Sequence, residues 1–199
     1  MQTKGNVILL MAVVLAVYAG VGLRQRLLQA RLRAVGCSGV AVQRCLQREA
    51  EIARGLPGLP ASPRLLYPQT TGVFSFATST DFLRMLVTGK VMCVDYRFFT
   101  APGLAASNHL APRDFAEAYN AWCAVADYGA DTPPHYPLFF TRNIEITNLS
   151  EPVCYNQGAP FGKRGAAVVL VGGDLLILKE NEARAFFGGL GLSNRVLRP

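Results

Sequence analysis

The hydrophobic pattern divides the chain into two parts of different character. Residues 6–23 are eighteen uncharged, mostly apolar positions. At the helical rise this run spans about 27 Å, close to the hydrocarbon thickness of a bilayer. Over residues 24–54, apolar positions recur at helical spacing among basic side chains. The pattern predicts a transmembrane helix over 6–23 that continues as a basic juxtamembrane helix over 24–54, after a short leader at 1–5.

The segment from 55 to 69 interrupts this helical pattern. Its first nine residues, GLPGLPASP, contain three prolines and two glycines, which cannot continue a helix. The segment is therefore predicted to be a linker. Residues 70–199 are long enough to form one globular domain with its own core.

Within that domain the pattern is typical of short strands and short helices. Two apolar strands at 166–171 and 175–179 flank Gly172 and Gly173, which favours a hairpin because glycine accepts a positive φ. The other predicted elements are a β-prone stretch at 70–78, a helix that begins at 79–81 and ends at Gly89, strands at 91–99, 121–128 and 136–143, and a helix at 180–190. The fold class is α+β: a long N-terminal transmembrane helix leading into a small, mainly antiparallel sheet domain with short helices.

Charge is concentrated on the predicted juxtamembrane helix. The chain carries a net charge of +7, and residues 24–54 hold seven arginines against two glutamates. Such a cluster next to a membrane attracts anionic lipid headgroups, so membrane lipid is the expected partner. Nucleic acid is not expected, because the domain is nearly neutral and has no nucleic-acid motif. A cleaved signal peptide and a buried core helix are the alternatives for the apolar run.

The cysteines and histidines do not form a recognisable catalytic or zinc motif. The chain has five cysteines and two histidines and no C-x-x-C pair. One disulfide among Cys93, Cys123 and Cys154 is a possible alternative. The simpler expectation is that these cysteines are buried, unpaired thiols. A Cys123–His135 nucleophile pair is the least favoured alternative. We therefore expect no catalysis, no cofactor and no small-molecule substrate.

Two carboxylates and two loops are the remaining candidates for a site. Asp127 and Asp131 lie in DYGADTPP, where a calcium site is a weak alternative to a solvated turn. The long irregular loops at 101–114 and 147–164 could serve a binding module that acts alone, tethered to the membrane by the N-terminal helix.

The N-terminal layout resembles that of type IV pilins and type II secretion pseudopilins. Lys4-Gly5 looks like the end of the short basic leader that a prepilin peptidase cleaves, which would leave Asn6 as the first mature residue. The stretch RQRLLQARLRAVGC and the segments STDFLRMLVTGKVMCVDYRFFTAPG, NAWCAVADYG, PLFFTRN and PFGKRGAAVVLVGGDLLIL are similar to prepilin-like proteins of the planctomycete and verrucomicrobial type.

The resemblance implies a non-catalytic structural subunit of a type II secretion or pilus-like assembly, with related pilin-like subunits as partners. Leu10 stands at the fifth mature position, where the family usually has a glutamate thought to pair with a neighbour's amine. This departure favours a minor or tip subunit. The resemblance also places the chain in the inner (cytoplasmic) membrane with Leu10, Arg24 and Arg26 in the anchor and the domain in the periplasm. The arginines after the apolar run favour the opposite orientation by the positive-inside rule.

Overall fold

The computed structural model describes residues 2–55, 67–72, 75–104, 115–129 and 131–199. Within the first range it describes the backbone throughout, but not the side chains of 2–10, 12–14 and 53–55. The predicted leader, most of the linker, and most of the loop at 101–114 lie outside the described residues or side chains.

Three helices and seven strands make up the described fold. The helices are α1, Gln2–Gly55; α2, Ser79–Thr88; and α3, Glu180–Gly188. The strands are β1, Trp122–Val125; β2, Pro137–Thr141; β3, Ile144–Glu145; β4, Cys154–Tyr155; β5, Ala166–Leu170; β6, Leu175–Leu178; and β7, Val196–Leu197. Short 3-10 turns occur at Tyr96–Phe99, Glu117–Tyr119 and Gly162–Arg164.

Five strands form one antiparallel sheet with the order β6-β5-β2-β1-β7, and β3 pairs with β4 separately. The predicted hairpin is confirmed, because β5 pairs with β6 from Ala166 opposite Leu178 to Val169 opposite Leu175. The strands predicted at 121–128 and 136–143 are also present as the neighbours β1 and β2.

Helices cover the sheet on both faces. On one face, Trp122 and Phe139 contact each other edge to face, and Phe139 stacks on Phe82 of α2. On the other face, Phe140 contacts Phe187 of α3 with ring centroids 5.2 Å apart. Because both faces are covered, the central strands β1, β2 and β5 are buried at every position.

The second half of α1 is part of the core. Leu32, Val42 and Leu46 are buried, and the helix lies across β5 and β6. Gly36 and Gly39 allow this contact: a Cβ at Gly39 would lie 2.7 Å from Trp122 Cη2 and 2.8 Å from Val169 Cγ2. These glycines are therefore positions of close helix–sheet approach, rather than the bend that a glycine pair inside a helix suggests.

The transmembrane prediction is wrong. Among the described residues, no helix is long and apolar enough to cross a membrane. Beyond residue 23, where a membrane face was expected, α1 continues to Gly55, and Leu32, Val42 and Leu46 of its second half are buried in the domain core. The α+β fold with a transmembrane helix over 6–23 is corrected accordingly, as are the single-pass topology and the inner-membrane location inferred from it.

The strand predicted at 91–99 is also wrong. Its buried residues, Met92, Tyr96 and Phe99, follow a spacing of four and three rather than two. The Asp95 carboxylate accepts a hydrogen bond from the Arg97 backbone N–H at 2.8 Å and so begins the 3-10 turn Tyr96–Phe99. In the described part of the predicted β-prone stretch at 70–78, Ser75 forms one isolated bridge with Gln69, which precedes the stretch.

Candidate functional site

The described side chains in the first half of α1 stand away from the domain. All side chains from 15 to 27, which we call the projecting segment, are exposed. Its large apolar members include Leu15 at 66% exposure and Tyr18 at 74%. The next residue, Leu28, is half-buried against the domain core, and Leu32 is 1% exposed. One helix therefore has an anchored half and an uncovered apolar half.

Small residues in the projecting segment leave its backbone accessible to another helix. Ala16, Ala19, Gly20 and Gly22 lie within it, and a Cβ at Gly20 or Gly22 would meet no atom within 4 Å. Another helix could therefore pack closely against this surface. An apolar helix of this length gains stability only when a partner covers it.

A basic cleft lies where the projecting segment meets the domain. Its volume is about 580 Å³. The helix contributes Arg24 and Arg31, which lie on either side of the apolar pair Leu27 and Leu28. The domain contributes the loop at 157–162 and Arg164. Arg164 is positioned by its Nε–H, which donates to the carbonyl of Phe161 at 3.2 Å.

The loop at 157–162 is held in place from beneath. The Asn143 side chain is buried, and its amide donates to the carbonyls of Gly162 at 2.7 Å and Gly165 at 2.9 Å. Gly162 has a φ of 56°, a left-handed conformation that favours glycine. The cleft wall is therefore fixed to the buried turn between β2 and β3.

The structure separates the predicted anchor residues. Arg24 and Arg26 are both exposed, but only Arg24 lines the cleft. The side chains of Gly5, Asn6 and Leu10 lie outside those that the structure describes, so cleavage after Gly5 stays a prediction.

The Asp127 carboxylate has a structural partner. It accepts hydrogen bonds from the Thr70 backbone N–H at 2.8 Å and the Thr70 hydroxyl at 2.6 Å. This contact ties the segment at 67–72 to the end of β1. Asp131 is exposed. Among the described residues, no three His, Cys, Asp or Glu side chains are grouped so that they could hold a metal ion.

The cysteines do not form a disulfide, and their environments differ. All five thiols are free: Cys37, Cys93 and Cys154 are exposed, Cys45 is half-buried, and Cys123 is fully buried in β1. Burial raises the pKa of the Cys123 thiol to about 12. A thiol in that state stays protonated at neutral pH, which weighs against its use as a nucleophile with the exposed His135.

The cleft is the feature that sequence reasoning missed. The arginines of α1 and the loop at 147–164 are both evident in the sequence, but 133 positions separate Arg31 from Arg164. Only the docking of α1 on β5 and β6 brings them together. One signal in the sequence could have indicated the cleft: the apolar positions at helical spacing over 24–54 predict that this half of α1 packs on the domain. Its basic face would then lie next to the domain loops.

Comparison of the chain with known protein families, with curated proteins and with solved structures finds no match.

Proposed function

We propose that the chain is a non-catalytic, pseudopilin-like structural subunit that assembles through the projecting segment with helices of related subunits. The observation that carries this proposal is the contrast within α1. Its second half is fixed in the domain core, while its first half presents uncovered apolar side chains. Large uncovered apolar surfaces mark interaction sites.

The shape of the segment supports a helical partner. The exposed apolar side chains surround the helix, and the small residues let a second backbone approach closely. A long rigid helix that leaves a domain is suited to side-by-side packing, in which apolar ridges of one helix fill grooves of the next.

A specific observation also favours a second candidate, a binding module that acts alone. The loop at 157–162 and the arginines of α1 form a cleft with room for a small ligand. The two candidates differ in which surface matters: the apolar positions of the projecting segment for assembly, and the cleft for solitary binding.

Substitution on the projecting segment tests the assembly proposal. Leu15→Glu places a charge on the segment, and Ile52→Glu places the same charge at an exposed apolar position of the same helix, on the domain side. Native gel electrophoresis of extracts from the source cells measures the size of the complex. We expect the unmodified chain and Ile52→Glu to migrate in a complex larger than 21.5 kDa and Leu15→Glu to be lost from it. A monomeric unmodified chain, or equal loss with both variants, would contradict the proposal.

A further inference from the structure

We propose that the basic cleft binds a phosphate ester group. The first observation is that its charges are uncompensated. Arg24, Arg31 and Arg164 line it, and among the described residues no carboxylate does. Some arginines elsewhere pair with acids, as Arg84 does with Asp81 at 2.9 Å. Arg24 and Arg31 make neither a hydrogen bond nor an ion pair within the described part of the chain.

The second observation is the spacing of the two helical arginines. Positions 24 and 31 are two helical turns apart, so their side chains leave the same face of α1 about 10 Å from each other along the axis. Arg164 faces them from the domain side of the cleft. Three guanidinium groups around one cavity form a charge-assisted donor set for an anion.

The charge and the lining select the ligand class. A phosphate monoester carries nearly two negative charges and several acceptor oxygens, whereas a carboxylate carries one charge and two oxygens. The charge and the number of donors of three arginines match a phosphate monoester better than a carboxylate. The rest of the wall includes Leu27, Leu28 and Phe161, which would contact the apolar part of an ester rather than water.

The neighbouring cleft on the other side of Leu28 shows why this one is selective. Arg24 and Arg164 also reach that second cleft, but there Glu182 and Lys179 are present as well. The Glu182 carboxylate accepts from the Lys179 backbone N–H at 2.7 Å. The Glu182 carboxylate makes the second cleft less favourable for an anionic ligand than the three-arginine cleft, which no described carboxylate lines.

The proposal is tested on the purified full-length chain and does not depend on assembly. The probes are glycerol 3-phosphate and inorganic phosphate in calorimetry, and vesicles of phosphatidic acid, a lipid phosphate monoester, with phosphatidylcholine against vesicles of phosphatidylcholine alone in sedimentation. The variants are R24Q/R31Q and, as a matched control with the same loss of charge from the same helix, R26Q/R33Q. All four side chains are exposed, so both variants should keep the thermal midpoint of the parent.

We expect R24Q/R31Q to weaken binding on the order of tenfold or more, from the loss of two charge-assisted contacts, and R26Q/R33Q to leave it nearly unchanged. This pattern with glycerol phosphate identifies a soluble ester as the ligand. The same pattern with anionic vesicles only identifies a lipid headgroup. R164Q should weaken binding as R24Q/R31Q does. Equal weakening in both double variants, or no binding to any probe, would overturn the proposal.

Discussion

Gly39 determines how closely the long helix approaches the sheet. Its Cα faces Trp122 and Val169 at distances that leave no room for a methyl group. Both neighbours are fully buried and packed, so they cannot move aside at low cost. By contrast, Gly20 and Gly22 of the same helix face open space. The same residue type therefore has a packing role at one end of α1 and leaves an open surface at the other.

Replacing Gly39 with alanine should destabilise the chain. Overpacking costs about 1–3 kcal/mol, and the better helix propensity of alanine returns at most about 1 kcal/mol. Gly22→Ala is the matched control, because it makes the same change in the same helix with no atom within 4 Å. Urea unfolding of the full-length chain measures both. A midpoint for Gly39→Ala at or above that of Gly22→Ala would show that α1 does not approach the sheet this closely.

The buried Cys123 thiol should make stability depend on alkaline pH. Its pKa is raised from 9.0 to about 12 in the folded chain because burial disfavours the thiolate. Between these values the folded state binds more protons than the unfolded state, so the free energy of unfolding falls as pH rises through this window. Below about pH 9 the full contribution of this thiol is present.

Cys123→Ala isolates this effect. The variant loses some packing but should show a shallower fall in unfolding free energy between about pH 8 and about pH 10, because the tyrosines that ionise near pH 10 are the same in both chains and only the thiol differs. Urea titrations at each pH measure the slope. Thiol labelling at the same pH values should modify Cys37, Cys93 and Cys154 before Cys123. Identical slopes for parent and variant, or early labelling of Cys123, would contradict the burial described here.

At the scale of elements, the hairpin of β5 and β6 depends on its turn. Gly173 has a φ of 93°, while Gly172 is not in the left-handed region. Instead, a Cβ at Gly172 would lie 2.9 Å from the Cβ of Pro134. The buried Gln43 of α1 donates from its amide to the carbonyl of Val171 at 2.6 Å. The turn is thus held both by its own glycines and by the helix that crosses the sheet.

Gly173→Ala should therefore lower stability by about 1–2 kcal/mol, the cost of a side chain in the left-handed region. The new Cβ would also lie 2.9 Å from the Gln43 Oε1 atom. Gly188→Ala in α3 is the control, since it meets open space. Thermal unfolding of the full-length chain compares them, and a Gly173→Ala midpoint equal to the parent would count against this turn geometry.

The elements that the sequence predicts well are those that local signals determine. The β5–β6 hairpin has two apolar strands around glycines. The capping signal at 79–81 marks the start of α2, although the cap itself lies one residue earlier: the Thr78 hydroxyl accepts from the Asp81 backbone N–H. Elements that depend on distant partners are harder. The two-residue strand β7 exists because Val196 pairs with Val125 of β1. The residues next to Val196 in the sequence carry no local pattern that predicts this pairing.

The transmembrane assignment of α1 is the largest error, and it too arises because the sequence does not show which distant surface covers an apolar segment. The apolar residues at 6–23 indicate that this helix is covered by an apolar environment. The sequence pattern alone does not show whether that environment is lipid or another helix. The basic cleft was missed because its arginines belong to two segments that only tertiary packing unites. The Asp127 carboxylate, a weak calcium candidate in sequence, binds Thr70 instead, and that partner is 57 positions away.

At the scale of the whole molecule, the chain is a folded domain that carries a long apolar extension. The domain buries its apolar side chains on both faces of the sheet, yet the extension leaves Met11, Val17 and Leu23 more than half exposed. The same chain thus satisfies one set of apolar residues internally and leaves another for a partner. This division of surfaces is the central claim of the account.

The purified chain alone should not form long filaments. On the proposed assembly role, with the leader removed after Gly5, Leu10 stands where the resembled family has a glutamate, and a homopolymer would lack the repeated pairing of that acid with a neighbour's N-terminal amine. Electron microscopy of the full-length chain checks this, with Leu10→Glu as the comparison variant. Abundant long homopolymers of the unmodified chain would contradict a minor-subunit role.

The most direct measurement of the central claim is site-specific photocrosslinking in the source cells. A photoreactive phenylalanine replaces Tyr18, the most exposed of the large apolar residues described, and in a control it replaces Ile52 at the domain end of the same helix. Mass spectrometry identifies the peptide that each position captures. The account predicts that position 18 captures an N-terminal apolar helix of a pilin-like subunit, while position 52 does not. Capture of no protein at position 18, or of the same peptides at both positions, would contradict it.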